Sequence, residues 1–343
     1  MKTTIDKLLG NQSLNQDESR EIMFKIMSGE FNDVQIAGFL IALRSKGESS
    51  SEIAGFTQAM REKMTSVPIQ SDAIDMCGTG GDARGTFNIS TAASFVVAGA
   101  GVKVAKHGNR AASGKSGSAD VLEVAGANIM LDASNVARCI DEVGLGFLFA
   151  LNHHGAMKHA IGPRKEMVVR TIFNMLGPLT NPAGAKRQLL GVYDKSLLVP
   201  IANVLRELGS EHVMVVHSDD GLDEISISAN TKVAELKDGV ISEYEISPAD
   251  FGFKLFPLDQ LKIENSEQSL ELVKASLNRT HEGAANIVLM NAGATIYVSG
   301  ISDSLESGVE EAMQIVDSGQ AVRKMQEFVD YTNALANEDA GAG

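Results

Sequence analysis

Residues 1–65 carry apolar side chains at helical spacing, interrupted by polar residues of the kind that begin helices. The apolar positions are Ile22, Ile26, Ile36, Phe39, Leu40, Leu43, Ile53, Phe56 and Met60. The predicted capping boxes pair Asn15 with Glu18, Asn32 with Gln35, and Ser49 with Glu52. Short helices bury little surface among themselves, so they need the rest of the chain or a second subunit. The pattern predicts a small all-helical domain over residues 1–66 that also contributes a dimer contact.

From residue 67 onward, short apolar runs alternate with amphipathic segments. Strands are predicted at 73–77, 102–105, 146–149, 187–193 and 212–217, with helices at 91–99, 119–125, 134–143 and 196–208. This βαβ alternation predicts an α/β domain over residues 67–343, with a mostly parallel central sheet flanked by helices. A strand pair turning at Asp238-Gly239 is predicted over 231–246, followed by helices near 268–277, 284–298 and 304–335.

The segment 170–182 interrupts this alternation. It is predicted to be a helix that stops at Gly177-Pro178, followed by a rigid turn. Helices near 165–182 are expected to rejoin the helical domain and close a cleft.

Two glycine-rich segments, 75–82 and 106–110, each follow a predicted strand. Gly78, Gly80 and Gly81 let backbone N–H groups converge without a Cβ in the way. Asn88 or Ser90 is expected to cap the helix that begins near Thr91, whose N-terminus favours anions. The next strand brings further polar residues to the same sheet edge, namely Lys106, His107, Asn109 and Arg110. Together the two segments predict a phosphate-binding pocket.

Two known phosphate-binding patterns do not fit these glycines. Gly78-x-Gly80-x-x-Ala83 is similar to a dinucleotide-binding pattern, but the helix does not start at the glycines. The following strand also offers Lys106 in place of the acidic residue that binds a ribose hydroxyl. Gly108 to Ser116 is one residue too long for an ATP-binding P-loop.

An acidic cluster follows the strand predicted at 212–217. It consists of Asp219, Asp220, Asp223 and Glu224. Because these carboxylates repel one another, the cluster favours a cation. Mg²⁺ takes one or two protein carboxylates and completes its shell with water and phosphate oxygens, which fits the adjacent Asp223 and Glu224. A solvated acidic turn is the alternative interpretation.

A second polar concentration contains His153, His154, His159 and Arg164. The histidine spacing is poor for zinc, and no cysteine lies nearby. Arg164 offers a planar donor pair suited to a carboxylate, whereas the alternative is an ordinary surface loop.

Composition limits the partners. The net charge of −14 opposes nonspecific nucleic-acid binding, so a basic pocket in this chain indicates a small anionic ligand. No leader-like segment and no apolar run of membrane-spanning length occurs, and the two cysteines lack disulfide or zinc-ribbon spacing. We expect a cytoplasmic protein with reduced Cys77 and Cys139 and no nucleic-acid or membrane partner.

The motifs in combination resemble anthranilate phosphoribosyltransferase, a family of tryptophan biosynthesis with nucleoside phosphorylase-like architecture. The matching segments are 77–82, 86–91, 106–110, 115–120, 170–182 and 223–224. The resemblance implies a homodimer that transfers the 5-phosphoribosyl group from phosphoribosyl pyrophosphate to the amine of anthranilate. It also implies dependence on Mg²⁺, with two ions accompanying the bound donor.

The resemblance also implies site residues. The donor would be held by Gly78, Gly81, Asp82, Thr86, Asn88, Ile89, Ser90, Thr91, Lys106, Ser113 and Ser118. Anthranilate would be held by Gly78, His107, Asn109, His154, Arg164 and Gly177, and Mg²⁺ by Ser90, Asp223 and Glu224. The catalytic residues would be Lys106, His107, Asn109 and Arg164. Gly114, and Gly162-Pro163 before Arg164, depart from the family's usual residues.

Two alternatives stay open at this point. A pyrimidine nucleoside phosphorylase would share the architecture but use phosphate as acceptor. A noncatalytic relative would bind nucleic acid, which the net charge of −14 disfavours.

Overall fold

The computed structural model describes residues 1–111 and 114–341. The N-terminal helices are α1 (Lys2–Leu9), α2 (Gln16–Met27), α3 (Asp33–Lys46) and α4 (Ser50–Lys63). Helices α2, α3 and α4 each begin with the predicted capping box, in which cap and third helical residue bond each other's backbone N–H. The helical prediction for this region is confirmed.

These helices share an apolar core with three later helices and with one face of the sheet. The later helices are α9 (Lys158–Met167), α10 (Phe173–Leu179) and α11 (Leu198–Glu207). Phe39 and Phe56 meet edge to face at 6.0 Å in this core, next to residues from α10 such as Leu176. The segment 158–179 therefore returns to the N-terminal helices, while the domain boundary at residue 66 stays a prediction.

The described chain contains one seven-stranded sheet in the order β3-β2-β1-β4-β5-β6-β7. Its strands are β1 (Ile74–Gly78), β2 (Val104–Gly108), β3 (Leu145–Phe149), β4 (Arg187–Gly191), β5 (His212–Ser218), β6 (Thr231–Lys237) and β7 (Val240–Ile246). Strands β1 to β5 pair in parallel, whereas β6 and β7 are antiparallel. Asp238 and Gly239 make the predicted turn, both with positive φ. The predicted mostly parallel sheet is confirmed.

Helices cover both faces of this sheet. The remaining ones are α5 (Ile89–Gly99), α6 (Ser118–Val124), α7 (Ala133–Val143), α8 (Ala150–His153), α12 (Ser266–Leu277), α13 (Glu282–Ser299), α14 (Leu305–Asp317) and α15 (Gln320–Gly341). Leu189 and Leu190, neighbours on β4, belong to different apolar cores, because successive strand residues point to opposite faces. Within the described residues, no helix is long and apolar enough to span a bilayer.

The structure corrects two predicted boundaries. Strand β2 continues to Gly108, because β3 pairs with it residue by residue up to Phe149. Lys106 and His107 therefore lie within β2 and not after it. Helix α10 continues through Gly177-Pro178 to Leu179. This last turn is stabilised because side chains bind its carbonyl groups: Thr180 Oγ1 donates to Leu176 O at 3.0 Å, and Gln188 Nε2 donates to Pro178 O at 2.8 Å.

Strand pairing is lost toward the carboxyl end of β1, an interior strand of the sheet. Strand β1 pairs with β4 along five residues, but with β2 only through Ile74 and Val104. Beyond this pair, backbone N–H and C=O groups of β1 and β2 therefore have no strand partner, next to the glycine-rich segments.

Candidate active site

The first glycine-rich loop, residues 78–82, wraps around Asp223. The Gly80 N–H donates to Asp223 Oδ2 at 2.8 Å, and Gly80 and Gly81 both have positive φ. A Cβ on Gly78 would collide with the Asp223 carboxylate. Glycine is therefore required here by the close approach of a carboxylate as well as by the turn.

Asp223 and Glu224 form a buried acidic pair after β5. Burial raises the pKa of Asp223 to about 7, and the neighbouring Asp82 adds to the effect. Burial also raises the pKa of Glu224 to about 8, followed by the repulsion from Asp223, whereas Lys106 and hydrogen bonds from Ser90 oppose the rise. Burial likewise raises the pKa of Asp82. These carboxylates favour a cation at the same place.

The donor atoms here fit Mg²⁺. Ser90, Asp223 and Glu224 supply hard oxygen ligands, and Ser90 is joined to Glu224 by hydrogen bonds. Within the residues that the structure describes, no group of three or more His, Cys, Asp or Glu side chains is arranged to hold a metal. A magnesium ion at this position would thus need water or phosphate oxygens to complete its shell, as this ion usually does.

Asp219 and Asp220 do not join the pair. Asp220 accepts from Ser226 Oγ at 2.6 Å, and Asp219 lies 3.9 Å from Lys232. Of the four carboxylates in the acidic cluster, only Asp223 and Glu224 face the glycine-rich loop.

Lys106 lies between β1 and the start of α5. Its ammonium donates to Met76 O at 2.7 Å and lies 3.4 Å from Ser90 Oγ, and the side chain is buried. One positive charge is thereby held beside the Asp223–Glu224 pair.

The start of α5 differs from the prediction. The helix begins at Ile89, and the Asn88 side chain does not cap it. Instead Asn88 Oδ1 accepts from Ser116 Oγ at 2.9 Å and from Ser269 Oγ at 2.7 Å, which ties the second loop to α12. The Ile89 side chain is buried, and its backbone N–H donates to Phe87 O at 2.8 Å, so Ile89 offers no polar group to a ligand.

Two threonines flank this helix start. The Thr91 hydroxyl is buried and has no hydrogen-bond partner among the described residues. Thr86 forms an isolated bridge with Lys262, which holds the approach to α5. An unsatisfied buried hydroxyl at the N-terminal end of a helix is consistent with an anionic ligand here.

The second glycine-rich segment is held by α6. Ser118 Oγ donates to Asn109 O at 3.3 Å, and the Asn109 side chain accepts from the Arg110 N–H at 2.8 Å. Arg110 forms ion pairs with Glu123 and Asp120, so it does not add free positive charge at the phosphate site, contrary to the prediction. Ser113, a predicted donor-binding residue, lies outside the described residues.

A buried histidine pair lies on the other side of β2. His107 Nδ1 donates to Gly177 O at 3.1 Å, which leaves His107 Nε2 to accept from His154 Nε2 at 3.2 Å. Burial holds the pKa of His107 well below its usual range and lowers the pKa of His154 to about 4. Both rings are therefore neutral at physiological pH and present an aromatic wall.

The three histidines of the 153–159 segment do not meet. His153 Nδ1 donates to Thr65 O at 3.2 Å, while His159 packs beside Gly29. They serve different contacts, so they do not form one ligand set.

Arg164 lies on α9 directly after Pro163, which is inside the same helix. Its guanidinium lies 5.1 Å from the Phe173 ring centre, and burial lowers its pKa. In the part of the chain that the structure describes, no carboxylate pairs with it. A mostly buried, unpaired guanidinium is a strong site for a carboxylate ligand.

The structure thus joins most predicted residues into two groups. The first contains Gly78, Gly81, Asp82, Ser90, Lys106, Asp223 and Glu224, and the second contains His107, His154 and Gly177. Asn109 and Arg164 have no hydrogen bond to either group's side chains.

Known families match this chain in two adjacent parts. A glycosyl transferase family described as a helical bundle domain matches residues 2–64, and its a/b domain matches residues 70–322. An anthranilate phosphoribosyltransferase from Chromohalobacter salexigens is 54% identical over 341 residues, covering 99% of both chains. The chain belongs to the anthranilate phosphoribosyltransferase family.

Solved structures of this family have the same fold. The anthranilate phosphoribosyltransferase of Thermus thermophilus superimposes with a TM-score of 0.91 at 39% identity, covering 96% of this chain and 99% of its own. The Saccharomyces cerevisiae enzyme in complex with PRPP and Mg has a TM-score of 0.88 at 26% identity, covering 97% of each chain. The family resemblance inferred from the motifs is confirmed.

Sequence reasoning missed two residues at this family site. The Arg170 guanidinium donates to Gly81 O and stacks 4.4 Å over the Tyr193 ring, which steadies the first glycine-rich loop. Asp75 is fully buried within β1 and accepts from the His107 N–H. The signal for Asp75 was a charged residue within an apolar strand.

One cavity lies away from these residues. A volume of about 630 Å³ lies at the opposite edge of the sheet, next to Arg187 and Lys237. Arg187 already pairs with Glu211, and Lys237 donates to Tyr297 OH at 3.1 Å. The unpaired Arg164 and the acidic pair Asp223 and Glu224 lie at the carboxyl edge, which makes that edge the candidate site.

We predict that Asp223→Asn weakens divalent-cation binding, because it removes one of two adjacent carboxylate ligands. The affinity for Mn²⁺, measured by EPR with Mg²⁺ as competitor, should fall at least roughly tenfold. Tenfold is the lower limit typical for loss of an outer-shell partner, and a direct ligand should matter no less. Asp220→Asn is the matched control, since Asp220 bonds Ser226 in the same loop. Unchanged Mn²⁺ affinity in Asp223→Asn would remove Asp223 from the metal site, and equal losses in both variants would indicate a disturbed loop.

Proposed function

We propose that this protein transfers the 5-phosphoribosyl group from phosphoribosyl pyrophosphate to the amine of anthranilate. The products are N-(5-phosphoribosyl)anthranilate and pyrophosphate, in the second step of tryptophan biosynthesis from chorismate. The observation that carries this proposal is the 54% identity, over the full chain, to an anthranilate phosphoribosyltransferase. The enzyme is a glycosyltransferase of the pentosyl-transfer type.

The donor is assigned to the first group of site residues. The positive N-terminal end of α5 at Thr91 and the adjacent 78–82 loop would attract the phosphate groups of the donor. Asp82 and Thr86 would bind polar groups of the donor, while Asn88 holds the loop carrying Ser116 in place. Ser118 and Ser113 complete the proposed set.

The metal is assigned to Ser90, Asp223 and Glu224. We propose two Mg²⁺ ions with the bound donor, because the two adjacent carboxylates and the donor's pyrophosphate together carry more negative charge than Lys106 and one Mg²⁺ offset. When bound, Mg²⁺ would offset the negative charge that develops on the departing pyrophosphate. The Saccharomyces cerevisiae relative is known in complex with PRPP and Mg, which supports the assignment.

The acceptor is assigned to Arg164 and the histidine pair. The unpaired Arg164 guanidinium fits the anthranilate carboxylate, and His107 and His154 provide a neutral aromatic wall. Asn109, Gly78 and Gly177 complete the proposed acceptor set. The Saccharomyces cerevisiae relative is also known in complex with 4-fluoroanthranilate.

The reaction breaks the bond from C1′ to the pyrophosphate oxygen and forms a bond from C1′ to nitrogen. The amine lone pair attacks directly, and its extra proton leaves afterwards. Lys106 stabilises charge on the leaving side, and no strong base is needed. The low pKa of His154, about 4, and of His107 agrees with positioning and not with general-base catalysis.

The deciding experiment is loss of anthranilate fluorescence after adding phosphoribosyl pyrophosphate and Mg²⁺ to the purified protein. We expect a loss that requires all three components. No loss, together with phosphorolysis of thymidine or uridine, would favour a nucleoside phosphorylase. No loss together with a gel shift of nucleic acid would favour the noncatalytic alternative.

We predict that Arg164→Ala chiefly raises KM for anthranilate, because it removes the cation that binds the carboxylate. Loss of a charged hydrogen-bonding partner costs about 1.5–3 kcal/mol, so KM should rise roughly tenfold or more. Arg164→Lys keeps the charge but loses the planar donor pair, so its KM for anthranilate should lie between those of the wild type and Arg164→Ala. KM for phosphoribosyl pyrophosphate serves as the internal control, and an unchanged KM for anthranilate would reject this role for Arg164.

We further propose a homodimer formed through the N-terminal helices. Val34 and Ile41 lie seven residues apart on one face of α3 and are 82% and 45% exposed, with Leu9 nearby on α1 at 70%. Sedimentation should give twice the chain mass for the wild type and one chain mass for Val34→Asp/Ile41→Asp. Leu255→Asp, at another exposed apolar residue, is the control. A monomeric wild type would overturn the proposal.

The remaining partners are the two small-molecule substrates, and we place the enzyme in the cytoplasm. A net charge of −14 supports the absence of a nucleic-acid partner.

A further inference from the structure

Side chains replace the missing ladder between β1 and β2. In a continuous parallel ladder, the backbone groups beyond the Ile74–Val104 pair would bond across the two strands. Instead, Ala105 O accepts from Asn181 Nδ2 at 2.8 Å, and the His107 N–H donates to Asp75 Oδ1 at 3.1 Å. Met76 O accepts from Lys106 Nζ at 2.7 Å. The two strands are thus held apart by side chains that satisfy the released backbone groups.

Asp75 is the acidic member of this seam. It is fully buried, and its other oxygen, Oδ2, lies 3.4 Å from Gln188 Nε2 and 3.5 Å from Cys77 Sγ, both possible donors. Burial raises the pKa of Asp75, whereas the nearby Lys106 ammonium lowers it. A buried carboxylate is costly unless it is paired, and Lys106 is the cation that offsets it.

The seam lies between the two halves of the site. Val104 and Ala105 belong to different apolar cores, so Lys106 and His107 also leave β2 on opposite faces. Lys106 extends to Ser90 on the donor side, and His107 to Gly177 on the acceptor side. Asp75 accepts a hydrogen bond from the His107 backbone and interacts electrostatically with the Lys106 ammonium.

We propose that Asp75 is a positioning residue for the transfer reaction. It holds the carboxyl end of β2 away from β1, so that the Lys106 ammonium stays beside Ser90 while His107 stays in the acceptor wall. Asp75 makes no contact with substrate in this role, which rests on the proposed function of Lys106 as the charge that stabilises the leaving group.

The test is a double-mutant cycle of Asp75→Asn with Lys106→Met, read as kcat/KM from anthranilate fluorescence. Asparagine keeps the shape and one acceptor, but it removes the charge and faces the Gln188 and Cys77 donors with an NH₂ group. We expect Asp75→Asn alone to lower kcat/KM roughly 10–100-fold, as loss of an outer-shell partner does. In the Lys106→Met background the loss should be smaller by more than about twofold, which exceeds the range in which independent sites add. The loss that remains is the contribution of His107, which Asp75 also holds.

Glu235→Gln is the matched control for buried carboxylates. Glu235 accepts from His212 Nε2 at 2.7 Å and from Tyr244 OH at 2.8 Å, on the same sheet but away from the site. We expect this variant to melt earlier with kcat/KM unchanged. A purely structural role for Asp75 would likewise lower the melting temperature without a coupling to Lys106.

Equal losses from Asp75→Asn in both backgrounds would overturn the inference, and so would wild-type kcat/KM in Asp75→Asn. If Asp75→Asn does not fold, Asn181→Leu opens the same seam, since it removes the donor to Ala105 O. It should show the same coupling to Lys106→Met, and additive losses would again overturn the inference. A wild type without phosphoribosyl transfer would reject the proposed function together with this inference, whereas an active wild type with additive variants rejects the inference alone.

Discussion

The site depends on one structural constraint: the interior strand β1 is fully paired on one side and almost unpaired on the other. Its ladder with β4 runs five residues, while its ladder with β2 ends after Ile74 and Val104. The released backbone groups must find partners, because a buried unpaired N–H or C=O is costly. Asp75, Lys106 and Asn181 provide these partners. The gap between β1 and β2 is thereby lined by polar and charged side chains.

The electrostatics of this cleft are unbalanced. Asp82, Asp223 and Glu224 have raised pKa values because they are buried close together, and Lys106 is the buried cation beside them. A metal-bound polyphosphate would bring both the missing positive charge and the anion that suits the α5 N-terminus. On the proposed acceptor side the imbalance is reversed, since Arg164 is a mostly buried cation that pairs with no carboxylate of the described residues. In the proposed site, each half thus lacks a charge that one of the two substrates, with its metal, would bring.

Much of the fold could be predicted from local pattern. The capping boxes at Asn15, Asn32 and Ser49 and the turn at Asp238-Gly239 form as the sequence indicates, because these signals act over three or four residues. The failures lie where distant groups decide the outcome. Asn88 bonds Ser116 and Ser269 and not its own helix, Arg110 pairs with Glu123, and β2 extends through Lys106 and His107 because β3 pairs with it.

The sequence by itself determined which residues are candidates for the chemistry: the glycines of the first loop, Lys106, the Asp223-Glu224 pair and Arg164. Glycine-rich turns, adjacent carboxylates and an arginine each have a chemistry that is fixed by residue type and local spacing. Only the tertiary structure decided which of them meet, and it revealed the hydrogen bond between Asp75 and the His107 backbone and the neutral His107–His154 pair. The physical reason is that burial and pairing arise between segments far apart in the chain, and these set both the strand separation and the pKa values.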